Sequence, residues 1–215
     1  MIVAELDWVT ISSLATAGGT LVLALATFAA VRSSNRAARA AEESLLLGLR
    51  PLLVPSRLDD PAQKVGFADS RWFSVPGGGG IAEVADDAVY LIISVRNAGN
   101  GIAVLHGWHF YPRTTFGVAE HAPLDSFVRL TRDLYVAPGD IGFWQGTFRD
   151  PSSDEFRAAR EAIERRDGLT VEILYGDHEG GQRSISRFAL TPRSDRSGWI
   201  ASVARHWNVD RPNPR

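Results

Sequence analysis

Between Trp8 and Val31 the chain runs for 24 residues without a charged side chain, and Arg32, Arg36 and Arg39 close the run. A helix rises about 1.5 Å per residue, so this stretch reaches roughly 36 Å, enough to cross a hydrocarbon core of about 30 Å with some tilt. The hydroxyls of Ser12, Ser13, Thr16, Thr20 and Thr27 can each return a hydrogen bond to the helix that carries them. The run therefore reads as a transmembrane anchor. A removed signal peptide is the competing reading, with Ala24-Leu25-Ala26 as cleavage site, but the residues before Trp8 hold Glu5 and Asp7 and no base. A buried core helix is the other, and it would need a polar face that this run lacks.

Charge asymmetry sets the expected orientation, because the basic flank of a span stays cytoplasmic. Two acids lie before the run and three arginines after it, ahead of Glu42 and Glu43. The expectation is a cell-membrane, single-pass protein with its N-terminus outside and its C-terminal domain in the cytoplasm. Trp8 would sit in the outer aromatic belt. The absence of cysteine agrees with a reducing compartment and rules out thiol catalysis and thiolate metal sites. Ser12, Thr16, Gly19 and Thr20 form a stripe of small residues of the kind that lets two such helices approach, which allows a homodimer.

With 45% hydrophobic residues, 22% charged residues and a net charge of −2, the remainder has an ordinary globular composition and lacks the basic balance of a nucleic-acid binder. Of its 23 basic residues only Lys64 is a lysine. Helix formers continue from Ala37 to Leu47, so a juxtamembrane helix is expected over 32–50, following the anchor at 1–31. Arg32, Arg36 and Arg39 share one face of it at i, i+4, i+7 spacing, placed to meet anionic headgroups.

After Pro51 the period changes to alternation, and a β-sandwich domain is expected over 51–191. Leu52 to Val54 and Arg71 to Val75 read as short strands, Ala88 to Asn97 as the central one, and Ile102 to Tyr111 follows the Asn97–Gly101 turn. Phe127 to Val136 leads through Pro138-Gly139-Asp140 into Ile141 to Phe148, which should pair back across that turn. A helix capped by Ser152, Ser153 or Asp154 carries the apolar stripe Phe156, Ala159, Ile163 and ends by Gly168. Leu169 to Tyr175 and Gln182 to Thr191 form a hairpin. Four glycines, Gly77 to Gly80, precede no Gly-Lys-Ser/Thr and no helix, so they read as a flexible hairpin tip and not a phosphate loop. The tail, 192–215, has five Arg against two Asp, and Trp199, Ile200, Val203 and Trp207 fall on one helical stripe. A basic amphipathic helix is expected there, lying on the membrane or docking its tryptophans on the sandwich, with residues 210–215 frayed. The fold class is thus mainly β, with an N-terminal transmembrane helix, a sandwich of seven to eight strands, one inserted helix and a C-terminal amphipathic helix.

Several segments carry a resemblance: Arg50-Pro51-Leu52-Leu53-Val54, the run from Val95 to Ala103, Ala137-Pro138-Gly139-Asp140, and Tyr175-Gly176-Asp177 with Gly180. Together with the anchor, they resemble small bacterial, actinobacterial-type, single-pass membrane-anchored proteins of unknown function with an immunoglobulin-like β-sandwich. The resemblance implies a scaffold and transfers no catalytic residue.

The chemistry that residue types alone suggest is sparse. No Gly-x-Ser-x-Gly elbow and no His-Glu-x-x-His occurs, and His106 and His109 fall on opposite faces of a strand unless a bulge intervenes. No cofactor is implied. An enzyme would need His106 or His109 to converge with Asp86 or Asp87. Trp108 and Trp144 should fill the core, each indole N–H needing a partner. The expected function is a membrane-tethered binding or scaffolding module for a protein partner, using Asp177, His178 and Glu179 at one hairpin tip, and Asn97 to Gly101 at another. The alternative is a lipid-binding or sensor domain working through Arg32, Arg36, Arg39, Trp199 and Trp207.

Overall fold

A computed structural model describes residues 8–195 and 197–212. The expectations that concern Glu5, Asp7 and the fraying of the last three residues lie outside them. The chain divides into two units, Met1–Leu47 and Gly48–Arg215.

The first unit is one helix, α1 (Trp8–Gly48), which runs through both the expected anchor and the juxtamembrane segment. It is long and apolar enough to cross a membrane. Its hydroxyls do return to the backbone, Ser12 to Val9 O, Ser13 to Thr10 O, Thr16 to Ser12 O, Thr20 to Thr16 O and Thr27 to Leu23 O, at 2.8–2.9 Å. Each of these hydroxyl donors is thereby satisfied within the helix itself.

The second unit is mainly β: β1 (Leu53–Pro55), β2 (Gln63–Gly66), β3 (Trp72–Val75), β4 (Gly79–Ala85), β5 (Ala88–Asn97), β6 (Ala103–Tyr111), β7 (Val128–Val136), β8 (Ile141–Phe148), a helix α2 (Asp154–Arg165), β9 (Leu169–Gly176), β10 (Arg183–Pro192) and β11 (Trp199–Asn208). Nine of these strands make one curled antiparallel sheet in the order β1-β5-β4-β11-β10-β9-β6-β7, with β8 also on β5. Strands β4 and β1 share one edge of β5, the first against residues 88–93 and the second against 95–97, while β8 takes the other edge. β2 and β3 form a separate hairpin.

Burial follows the alternation. Val89, Leu91, Ile93 and Val95 of β5 face the inside of the curl, where they meet Leu169, Val171, Ile173 and Tyr175 of β9, Trp144 of β8 and the apolar stripe of α2. The opposite face of β5, with Ala88, Tyr90 and Ile92, is covered by Val65, Phe67 and Val75 from the β2–β3 hairpin. Both faces of β5 are thereby removed from water, as its central position requires. α2 begins at Ser153, whose Oγ accepts from Phe156 N, and ends at Arg166 in the left-handed region (φ 59°).

Four expectations are corrected. The tail is not a helix: residues 199–208 are β11, paired along its length with β10. Among the described residues the strands number eleven, because β2, β4 and β11 join those read from the sequence. β8 does not pair back on β7; β7 pairs with β6 and β8 with β5, since Gly139 N and Asp140 O bond to Asn97 and draw the connection over the end of β5. Gly77–Gly80 is no flexible tip, for all four residues are buried and Gly79 and Gly80 open β4. A Cβ at Gly77 would lie 2.3 Å from Arg57 O, and one at Gly80 2.7 Å from Ile92 O, so close backbone approach demands glycine there.

Candidate functional site

The residues singled out from the sequence disperse in the fold. Trp199 and Trp207 are 4% and 3% exposed, so neither is free to enter a membrane surface. Trp199 Nε1 donates to Ala82 O at 3.2 Å and Trp207 Nε1 to Ala119 O at 3.1 Å. Arg32, Arg36 and Arg39 lie exposed on α1. Asp177 is a turn former: it is 5% exposed, its Oδ1 accepts from Gly181 N at 2.8 Å, and only His178 and Glu179 are presented at the tip. Asn97 is fully buried, an internal bracket donating to Gly101 O and Val136 O and accepting from Leu52 N and Gly99 N.

Trp108 and Trp144 do fill the core, with ring centroids 5.3 Å apart. Trp144 Nε1, however, has no acceptor among the described residues. A bulge does fall at His106, because Leu105 and Gly107 face consecutive residues of β9. His106 faces Asp133, Asp177 and Arg183, and burial holds its pKa below the usual imidazole value. His109 Nδ1 lies 3.1 Å from Ser126, and Asp86 pairs with Arg71 at 2.7 Å. Among the described residues, no group of three or more His, Asp or Glu is placed to hold a metal ion.

Two arginines, one buried and one half-buried, organise the surface instead. Arg187 of β10 is 2% exposed; its Nε and Nη2 bind Glu172 Oε1 at 2.8 and 2.5 Å, and the rest of its guanidinium donates to Thr115 O, Val118 O and Glu120 O. Glu172 Oε2 accepts from Ala122 N at 2.8 Å, and the Arg187 guanidinium stacks 4.7 Å over Trp207. This pair pins the 112–127 connection onto the outer face of β9, β10 and β11. Arg50, just past α1, donates Nε to Gln182 Oε1 at 3.0 Å, Nη1 to Ser184 Oγ and Asn208 Oδ1, and Nη2 to both oxygens of Asp210. Both arginines have their charge met within the fold.

The concave feature lies elsewhere. A cleft of about 500 Å³ opens where β4 runs past the start of β11, lined by Gly77–Gly80, Trp199, Arg166 and Arg193 with Leu58 and Ile200 at its rim. Its size suits a small ligand. The structure builds it from three local choices. The glycines let the floor approach the neighbouring backbone, and Gly78 takes a positive φ of 63° while its N–H bonds to Ser56 Oγ at 2.9 Å. Arg166 occupies the left-handed C-cap of α2, a place where glycine is usual and an arginine costs on the order of 1 kcal/mol. Its side chain offsets that cost by donating Nη2 to Arg193 O at 3.3 Å and Gly198 O at 3.2 Å, and by lying 5.5 Å over the Trp199 ring.

Among known protein families and curated proteins, nothing matches this chain. Its functional reading therefore rests on its own geometry. The sequence pointed to the glycine run but gave no sign of the cleft, because Arg166 and Arg193 are brought to it by the end of α2 and the β10–β11 turn, which are far apart in the chain.

Proposed function

We propose that the chain is a single-pass membrane protein whose residues 48–215 form a cytoplasmic binding or scaffolding module of immunoglobulin-like type. The observation that carries this reading is the pairing of one long apolar helix with a separate domain that offers a formed cleft. The strand pairing supports the immunoglobulin-like reading. β1 with β5, β5 with β8, β6 with β9 and β9 with β10 reproduce the A–B, B–E, C–F and F–G neighbours of that fold, and Trp108 on β6 stands where strand C carries its buried tryptophan. The remaining strands elaborate it, β4 and β11 covering the edges that β5 and β10 would otherwise expose. The charge step from Glu5 and Asp7 to Arg32, Arg36 and Arg39 supports the cytoplasmic placement. The lipid-surface alternative keeps only those three arginines, since the two tryptophans it needs are buried.

The chain has no cysteine, which makes the test direct. Single cysteines are placed at Ile2 and at Arg215 in the full chain and probed with a membrane-impermeant maleimide. The Ile2→Cys variant should label in intact cells and the Arg215→Cys variant only after permeabilisation, with both retained in the membrane fraction after alkaline carbonate. The reversed labelling pattern, or release by carbonate, overturns the reading.

A further inference from the structure

We propose that the cleft binds a small soluble molecule through a phosphate group held between Arg166 and Arg193. This rests on the reading of the domain as a binding module and names the chemistry of its ligand. Two arginines, Arg166 and Arg193, line the one cleft, and among the described residues neither takes part in an ion pair, whereas Arg50, Arg71, Arg149 and Arg187 each meet a carboxylate. Arg166 spends Nη2 on two loop carbonyls and leaves Nε and Nη1 without an acceptor among the described residues. Arg193 is exposed and its side chain makes no hydrogen bond among them.

Two acids lie nearby, and neither forms an ion pair with Arg166 or Arg193 among the described residues. Asp195 accepts from Ser197 N at 2.9 Å and from Ser197 Oγ at 2.7 Å, and it attracts Arg193 only at longer range. Glu83 also lines the cleft, and its carboxylate lies 3.9 Å from Arg71. Two planar forks with free donors match the charge and the oxygen geometry of a phosphate better than those of a monoanionic carboxylate. The apolar rim of Leu58 and Ile200 would meet the uncharged part of the ligand.

The test uses the full chain in maltoside micelles, titrated calorimetrically with inorganic phosphate, pyrophosphate, glycerol 2-phosphate and acetate. Saturable binding is expected for at least one phosphate species with a Kd on the order of 0.1–1 mM, as befits a ligand of few atoms, and none for acetate. Arg193→Gln should weaken it by roughly tenfold or more, the loss of a charge-assisted contact, while Arg129→Gln on β7 leaves it unchanged. Because the Arg193 side chain makes no hydrogen bond among the described residues, its variant should keep the parent's unfolding midpoint, and this is measured alongside. A parallel arm presents vesicles of phosphatidylcholine with and without phosphatidic acid. No saturable binding of any soluble phosphate, equal weakening by both substitutions, or binding to phosphatidic acid vesicles alone overturns the proposal. The cysteine-labelling result stands or falls separately, so failure here is distinguishable from failure of the module reading.

Discussion

Arg187 uses all three nitrogens of its guanidinium, and the acid it meets, Glu172, is fully buried. A buried charge pair of this kind adds little net stability over an apolar replacement, yet removing one partner leaves the other uncompensated, at a cost of about 3–5 kcal/mol. Arg187→Met should therefore destabilise the domain by about that much and open the 112–127 connection to protease, read by urea unfolding and limited digestion. Asp69 offers a pH-dependent counterpart. The Tyr90 hydroxyl donates to it, Arg71 N and Arg149 add to the effect, and its pKa falls from 3.8 to about 2. A carboxyl whose folded pKa is depressed contributes stability that is fully present above its unfolded pKa and is lost as pH falls through the folded value. The stability difference between the parent and Asp69→Asn should accordingly be constant above about pH 5 and vanish between about pH 4 and 2, followed by urea midpoints across that range.

At the scale of elements, β11 shows how one extra residue redirects a strand. Arg187 faces Arg205 while Phe188 faces Val203, so Ala204 is bulged out of the ladder. Before the bulge Trp199 and Ala201 point into the main core; after it Trp207 points to the opposite face, against Ile185, Phe127 and Ala122. Inserting one alanine between Arg205 and His206 should turn Trp207 to the wrong face or break the pairing, with a loss of several kcal/mol and a red-shifted tryptophan emission, whereas deleting Ala204 restores a regular ladder with Trp199 and Trp207 still on opposite faces. α2 is more forgiving: Ser153→Ala removes one cap bond and should cost about 1 kcal/mol in the same unfolding assay.

The bulge also explains what could be read ahead of the structure. β5, β9, β10 and α2 were legible because their apolar periods are long and uninterrupted and their caps and turns sit where local chemistry wants them, and β6 because its apolar residues are dense enough to survive the bulge at His106. In the tail, apolar residues at 199, 200, 203 and 207 fit a helical period only because a strand that changes face midway produces the same spacing. β4 was hidden by its two leading glycines, which local rules assign to a turn and which packing alone makes a strand. The partners of β7 and β8 depend on Asn97 capturing the 137–140 turn, a contact across about forty residues of chain that no local pattern encodes. The cleft was invisible for the same reason, since neither of its arginines differs locally from the chain's many exposed ones.

For the whole molecule, the division after Leu47 carries a prediction. A chain starting at Gly48 contains every strand and all three clusters of buried apolar residues, so it should fold without α1. It should remain in the supernatant after high-speed centrifugation and unfold in one cooperative step by circular dichroism, and the full chain should sediment with membranes. Arg50 gives this domain a further property. By bonding to Asn208 and Asp210 it brings the residue that enters the domain beside the last ones that leave it. With start and finish at one corner, a few added residues would join them into a circle. The polypeptide could then be reopened between the exposed His178 and Glu179 of the β9–β10 hairpin, giving a permuted version with its new ends at that tip.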